Sequence, residues 1–181
     1  MLRSLEGSAG RTLVWSKKRT KEAGSLYELR NGTDTVGVIK PTGRAWVSAI
    51  GESAEGVWFF SMRGFLKKVV EVRRSMKGPP AATFTFAGLG SGGTLVLADG
   101  RTFRWDTKGL FKQRFFWVGA DGIPLLYVNH IPSLLRERLE TTVERPDIAN
   151  DDLSLLTLLG LYNWHIYQHM FAAALARVSS D

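Results

Sequence analysis

Between Asp152 and Arg177 the chain has no Asp, Glu, Lys or Arg, an uncharged run of 24 residues from Leu153 to Ala176. It opens behind Asp151-Asp152, which suit a helix start by capping and by the dipole, and Arg177 closes it at the end that favours a cation. At about 100° per residue, Leu153, Leu155, Leu156, Leu158, Leu159, Leu161, Tyr162, Trp164, Ile166, Tyr167, Met170 and Phe171 cover nearly every azimuth. A helix apolar all round is buried on all sides, in protein or in lipid. Its rise of about 36 Å would cross a hydrocarbon core of about 30 Å. Ser154, Thr157, His165, Gln168 and His169 fall on one side, with Asn163 nearly opposite. Hydrocarbon penalises such a stripe, whereas a protein interior can satisfy it with hydrogen bonds.

The preceding residues supply a candidate container. Apolar and polar residues alternate with the period of strands over Thr12–Ser16, Leu26–Asn31, Thr35–Lys40, Arg44–Ile50, Val57–Met62, Leu66–Arg74, Ala82–Ala87, Thr94–Ala98, Arg101–Asp106, Gln113–Val118, Ile123–Asn129 and Arg138–Arg145. Ser133–Arg138 can also be read as a helical turn, and Lys17-Lys18-Arg19-Thr20-Lys21 as a charged loop. Asn31-Gly32, Asp99-Gly100 and Asp121-Gly122 are pairs that tight type I′ turns require, because both central residues need positive φ. Twelve strands about 4.8 Å apart, tilted near 40°, close into a barrel of backbone radius roughly 12 Å. A helix of radius about 5–6 Å plus one layer of side chains fills that bore. The expected fold is therefore mainly β, a closed antiparallel β-barrel of about 12 strands enclosing a C-terminal hydrophobic α-helix. No linker divides the series, so 1–181 is expected to be one domain, with strands over about 12–145 and the central helix over about 151–178.

The order of about twelve strands and then a greasy helix resembles the tubby-like C-terminal domain superfamily, which includes LURP-one-related proteins and phospholipid scramblases. The residues that carry the resemblance are Gly64-Phe65-Leu66 leading into Val69–Val72, the hairpin from Leu95 to Trp105, and the tail from Asp152 to Tyr162. The likeness covers essentially the whole chain and points to a bacterial branch of the group. It implies a barrel threaded by its last helix. It also implies a phosphoinositide or membrane-surface role, as in tubby proteins, or lipid movement regulated by calcium, as in scramblases. No phosphoinositide pocket or acidic calcium loop of those families is matched locally, so no functional residue carries over.

Little else in the sequence points to chemistry. His165 and His169, spaced i, i+4, share a helical face, but Ile166 stands where a zinc hydrolase needs glutamate and no third ligand follows. They read as core histidines satisfied by hydrogen bonds. The run Gly88-Leu89-Gly90-Ser91-Gly92-Gly93 leads into a strand, with no lysine, and so reads as a connection and not a phosphate loop. No G-x-S-x-G elbow serves His130, and Asn31-Gly32-Thr33 is a turn before it is a glycosylation acceptor. With no cysteine, thiol chemistry and disulfides are excluded. The expectation is a non-enzymatic protein with no cofactor and no metal.

Charge gives the stronger lead. Lys and Arg number 24 against 17 Asp and Glu, a net +7 that favours anionic partners. Arg63, Lys67, Lys68, Arg73, Arg74 and Lys77 form one cluster in sequence, and Arg101, Arg104, Lys108, Lys112 and Arg114 a second. If both lie on one rim they make an anion-attracting patch. The candidate binding residues are Arg63, Lys67, Lys68, Arg73, Arg74, Arg101 and Arg104, with His165, Gln168 and His169 as a polar stripe on the helix. The expected partner is an anionic phospholipid headgroup, phosphoinositide or membrane surface. Nucleic acid or a protein partner on the basic surface is the alternative. The first residues, Met1 to Gly7, contain no apolar run of signal-peptide length, which suggests a cytoplasmic protein, peripheral to the membrane.

Overall fold

A computed structural model describes residues 1–20, 24–42, 46–64, 68–87, 92–108, 114–131 and 138–178. Twelve strands form one sheet: β1 (Thr12–Thr20), β2 (Gly24–Asn31), β3 (Asp34–Pro41), β4 (Ser48–Ser53), β5 (Gly56–Arg63), β6 (Val69–Arg73), β7 (Pro80–Ala87), β8 (Gly92–Leu97), β9 (Thr102–Lys108), β10 (Arg114–Val118), β11 (Pro124–Ile131) and β12 (Arg138–Val143). Each pairs antiparallel with its neighbours in sequence, and β1 pairs with β12 from Thr12↔Thr142 to Trp15↔Leu139 to close the barrel. Closure leaves no sheet edge over its paired length, which is how an all-antiparallel sheet avoids edge-to-edge association. The strand period does the sorting: in β7, Ala82, Phe84 and Phe86 are buried while Thr83 and Thr85 between them are half-buried.

The bore is filled by α1 (Asn150–Val178), whose residues from Asp152 to Tyr167 are all buried. Opposite faces of the helix meet opposite walls. Leu158 lies over Gly37 of β3 and Gly51 of β4, and Gly160 faces Val128, Trp117 and Trp105 of β11, β10 and β9. The helix comes so near that second wall that a Cβ on Gly160 would sit 3.0 Å from Val128. Two polar contacts fix its depth. Trp117 Nε1 donates to the Leu156 carbonyl at 2.8 Å, and Tyr162 Oη donates to the Val47 carbonyl at 3.0 Å. Strand interior and helix therefore form one continuous core. No helix among the described residues is long and apolar enough to cross a membrane, which says nothing of the strands.

Several local expectations change. The glycines of the three hairpin turns are left-handed, with φ of 61° at Gly32, 88° at Gly100 and 78° at Gly122, but Asn31, Asp99 and Asp121 are not. The last two hairpins instead have three-residue loops. Gly100 N–H bonds back to Leu97 O and Gly122 N–H to Gly119 O, so each turn precedes its left-handed glycine. The Asp side chain drives this choice: Asp99 accepts from Arg101 N–H at 3.0 Å and Asp121 from Ile123 N–H at 3.1 Å. Lys17 to Thr20 belong to β1, not to a loop, because they continue the pairing with β2 as far as Thr20↔Gly24. The strand expected from Arg44 begins only at Ser48. Trp46 has φ of 59°, incompatible with a strand, and 43–45 lie outside the described residues. Lys67, Phe65 and Leu66, the Gly88–Ser91 run and Ser133–Glu137 also lie outside them.

The expected satisfaction of the helix's polar residues holds for Ser154, which donates to Glu55 Oε2 at 2.6 Å. Thr157 Oγ1, both amide atoms of Asn163 and Nε2 of His165 have no hydrogen-bond partner among the described residues. The inward wall positions of the strands are almost all aliphatic or aromatic, so few acceptors or donors face them.

Candidate functional site

An up-and-down barrel alternates its connections between two ends. The helix enters where β2–β3, β4–β5, β6–β7, β8–β9 and β10–β11 are joined, and it leaves at the other end. At the entry end the acidic start of α1 is held by arginines from two turns, and a third arginine ties down the segment before it. Arg74 pairs with Asp151 and stacks its guanidinium 3.1 Å over the Trp58 ring. Arg101 grips Asp152 with both terminal nitrogens and Asp99 through Nε at 2.7 Å. Arg145 joins Asp121 to Asp147. Hydrogen bonds to Asp152 and then Asp99 raise the Arg101 guanidinium above its ordinary value, and bonds to Asp147 and Asp121 do the same for Arg145. Glu55 links Ser154 of the helix to Ser4 of the N-terminal segment, at 2.6 and 2.7 Å. Burial pushes its carboxyl up, but the bonds from Ser154, Ser4 and nearby groups outweigh that and hold it below the usual value. A cavity of about 610 Å³ lies among these pairs, floored by Phe103, Leu125 and Ile148. Every arginine around it is already neutralised.

The exit end has the opposite character. Among the described residues, its strand ends carry Lys17, Lys18 and Arg19; Lys40; Arg63 and Lys68; Lys108 and Arg114; and Arg138; Arg177 lies near the end of α1. These are ten of the 19 basic residues described, and none of the 14 acidic residues described lies in the same segments. The rest of the described residues have nine cations against fourteen carboxylates. The polarity complements the helix dipole, but a half charge at each helix end is far smaller than this imbalance. Lys17, Arg19, Lys40, Lys68 and Lys108 have no carboxylate partner among the described residues, whereas Lys18, Arg63 and Arg138 pair with Glu28, Glu71 and Glu140 on the outer wall.

The helix emerges through this end. His165 is the last polar residue inside, stacked on Trp46 with ring centroids 3.9 Å apart and touching Tyr27 edge-on at 4.7 Å. Burial first, then the positive fields of His169 and Lys17, lower its pKa to about 3, so the imidazole is neutral. Gln168 is half-buried and His169 exposed, as are Phe171, Ala172 and Ala173 beyond it. Only one of the two histidines thus belongs to the core, and its Nε2 lacks the expected hydrogen bond. No group of three His, Cys, Asp or Glu side chains is placed to hold a metal among the described residues.

The two basic clusters do not form one patch. Arg63 and Lys68 stand at the exit end, Arg73, Arg74 and Arg101 at the entry end, and Arg104 on the outer wall beside Asp106. Arg73 is occupied by Glu71 at 2.6 Å and by the Gly78 carbonyl. Arg74 and Arg101 hold the helix start. Lys67 lies outside the described residues. The cations that gather instead, Lys17, Arg19, Lys40, Lys108 and Arg138, come from separate parts of the sequence; Lys17 and Arg19 sit in the charged run and Lys108 in the second cluster, but local clustering does not bring them together. The available signal was the sum of charge over alternate connections.

No protein-family model matches the chain, and no curated protein does. A comparison with solved structures finds a porin-like protein from Bacteroides uniformis, 11% identical with a TM-score of 0.33, over 77% of this chain and 57% of that one. The chain thus spans little more than half of that neighbour's length, and a likeness this slight says nothing of mechanism. The fold and its two ends define the class as a closed β-barrel with a central helix and a charge axis.

Proposed function

We propose that this is a non-enzymatic barrel that docks by its helix-exit end on an anionic lipid surface. The observation that carries the reading is the segregation of charge along the barrel axis. Each basic side chain near such a surface contributes about 1 kcal/mol, and the attraction fades within a Debye length. Emerging Phe171, 48% exposed, puts apolar surface at the same end. The outer wall argues for docking over spanning, because Lys18, Glu28, Arg30, Glu71, Arg104, Asp106 and Glu140 occupy it where a membrane-crossing barrel carries an apolar band. The resemblance to tubby-like proteins points the same way.

Nucleic acid is the second reading, and the aromatic residues weigh against it. Single strands are held by bases stacked on aromatic side chains. All six tryptophans, Trp15, Trp46, Trp58, Trp105, Trp117 and Trp164, are buried. Flotation with phosphatidylglycerol vesicles and with phosphatidylcholine vesicles tests the proposal. Recovery with the first alone, reversed by salt, is expected. Absence from both, or equal recovery with both, overturns it.

A further inference from the structure

Among the described residues, the ladder that closes the barrel stops short on the exit side. β1 pairs with β12 only as far as Trp15↔Leu139, yet continues beside β2 to Thr20↔Gly24. Where the first and last strands separate lies a cavity of about 540 Å³, lined by Trp15, Ser16, Lys17, Tyr27, Arg138 and Leu139 together with Val14. Its apolar side is aromatic and aliphatic, with Trp15 fixed by donation from Nε1 to Thr141 Oγ1 at 3.0 Å. Its lining also holds two cations of different shape, Lys17 two residues along β1 from Trp15 and Arg138 next to Leu139. The Lys17 ammonium lies 5.7 Å from the Tyr27 ring centroid and has no carboxylate partner among the described residues. The Arg138 guanidinium spends one terminal nitrogen on Glu140 at 2.7 Å, and its other donors have no partner among the described residues.

We propose that this seam cavity is a phosphate-ester site. One phosphate sits between Lys17 and Arg138, and the organic part of the ester lies against Trp15, Tyr27 and Leu139. The assignment rests on the lipid-surface reading and names the group which that surface offers. Guanidinium and ammonium together supply the several donors that a tetrahedral oxyanion accepts, and Ser16 adds a hydroxyl. The larger entry cavity makes the contrast. Its arginines are each shared between two carboxylates, so an anion entering there gains no free cation. Among the described residues the seam has one carboxylate, Glu140, which pairs with Arg138, and the charge left over is that of Lys17, which already helps keep the nearby His165 deprotonated.

The ester belongs either to a lipid headgroup or to a soluble metabolite, and two probes separate these sources. The whole protein, labelled with ¹⁵N, is titrated with glycerol 3-phosphate and separately with dihexanoyl phosphatidylglycerol below its micelle concentration. Saturable shifts at the Trp15 indole and at the Tyr27 and Leu139 amides are expected. A response to the lipid alone assigns a headgroup, and a response to both assigns the phosphate ester in general. Lys17→Gln and Arg138→Gln, singly and together, should weaken binding at least tenfold with the melting temperature unchanged. Lys68→Gln and Lys108→Gln should leave it within twofold. If the double variant fails to fold, the single ones decide. Silence at the seam with both probes overturns the site, and so does an equal response to glycerate, which carries a carboxylate instead. Flotation on anionic vesicles with a silent seam sinks the site alone. A responding seam without flotation sinks the membrane reading and leaves a soluble phosphate ester.

Discussion

The two ends of the barrel are built from the same kinds of residue and do different work with them. At the entry end, Arg74, Arg101 and Arg145 meet Asp99, Asp121, Asp147, Asp151 and Asp152, and the charge is spent on holding the helix start and the segment that leads into it. At the exit end, Lys17, Arg19, Lys40, Lys68 and Lys108 have no such partners among the described residues. The difference separates cations that position structure from cations with attraction left over. Sequence clustering did not separate the two kinds: it placed Arg73, Arg74 and Arg101 in one candidate set with Arg63 and Lys68.

The harshest way to break the comparison attacks the axis that both ends share. Trp117→Ala removes a fully buried ring and leaves the Leu156 carbonyl without its donor. It should cost about 3–5 kcal/mol, read by urea denaturation, and hydrogen exchange should rise at both ends together. A rise at one end alone would mean that the ends are independent units.

Acid should come next in size. His165 has a folded pKa near 3 against an ordinary value of 6.5. Between those values the unfolded chain binds a proton that the folded one refuses, so stability is whole above about pH 6.5 and drains as pH falls toward 3. The slope reaches about 1.36 kcal/mol per pH unit. His165→Phe should flatten this part of the profile, and an unchanged slope would show that the imidazole is not shielded by the exit end.

Glu55→Ala tests the entry end more gently. It strands the buried Ser154 hydroxyl and frees Ser4, and should cost about 1–3 kcal/mol in chemical denaturation. The depressed Glu55 carboxyl contributes stability above the usual carboxylate range and loses it as pH falls through its lowered value, so Glu55→Gln should erase that acid-side loss. Reversing exposed charges at the exit end, Arg19→Glu with Lys108→Glu, should change stability by no more than about 0.5 kcal/mol. Vesicle binding should nevertheless fall severalfold. A large stability loss would place these cations among the structural ones.

The wall and its plug were legible in the sequence because each follows one period. Phe84 and Phe86, or Trp105 between Arg104 and Asp106, read directly as strand alternation, and the uncharged run from Leu153 had to be enclosed. Features set by pairing were not legible. Lys17 to Thr20 resemble a loop until β2 is seen beside them, and Asp99 and Asp121 draw their turns into a three-residue form that the Asp-Gly pair alone does not specify. The seam was invisible for the same reason: Lys17 and Arg138 are 121 positions apart and line one cavity only because β1 and β12 close the circle.

That closure has a consequence for synthesis. The wall cannot shut until Val143 has left the ribosome, and its filling is translated afterwards. Until then the nascent chain exposes two unpaired borders and a sticky concave face, the form most prone to misassociate. Chaperone capture during that interval, and the pace at which the last segment is made, should govern how much protein a cell recovers.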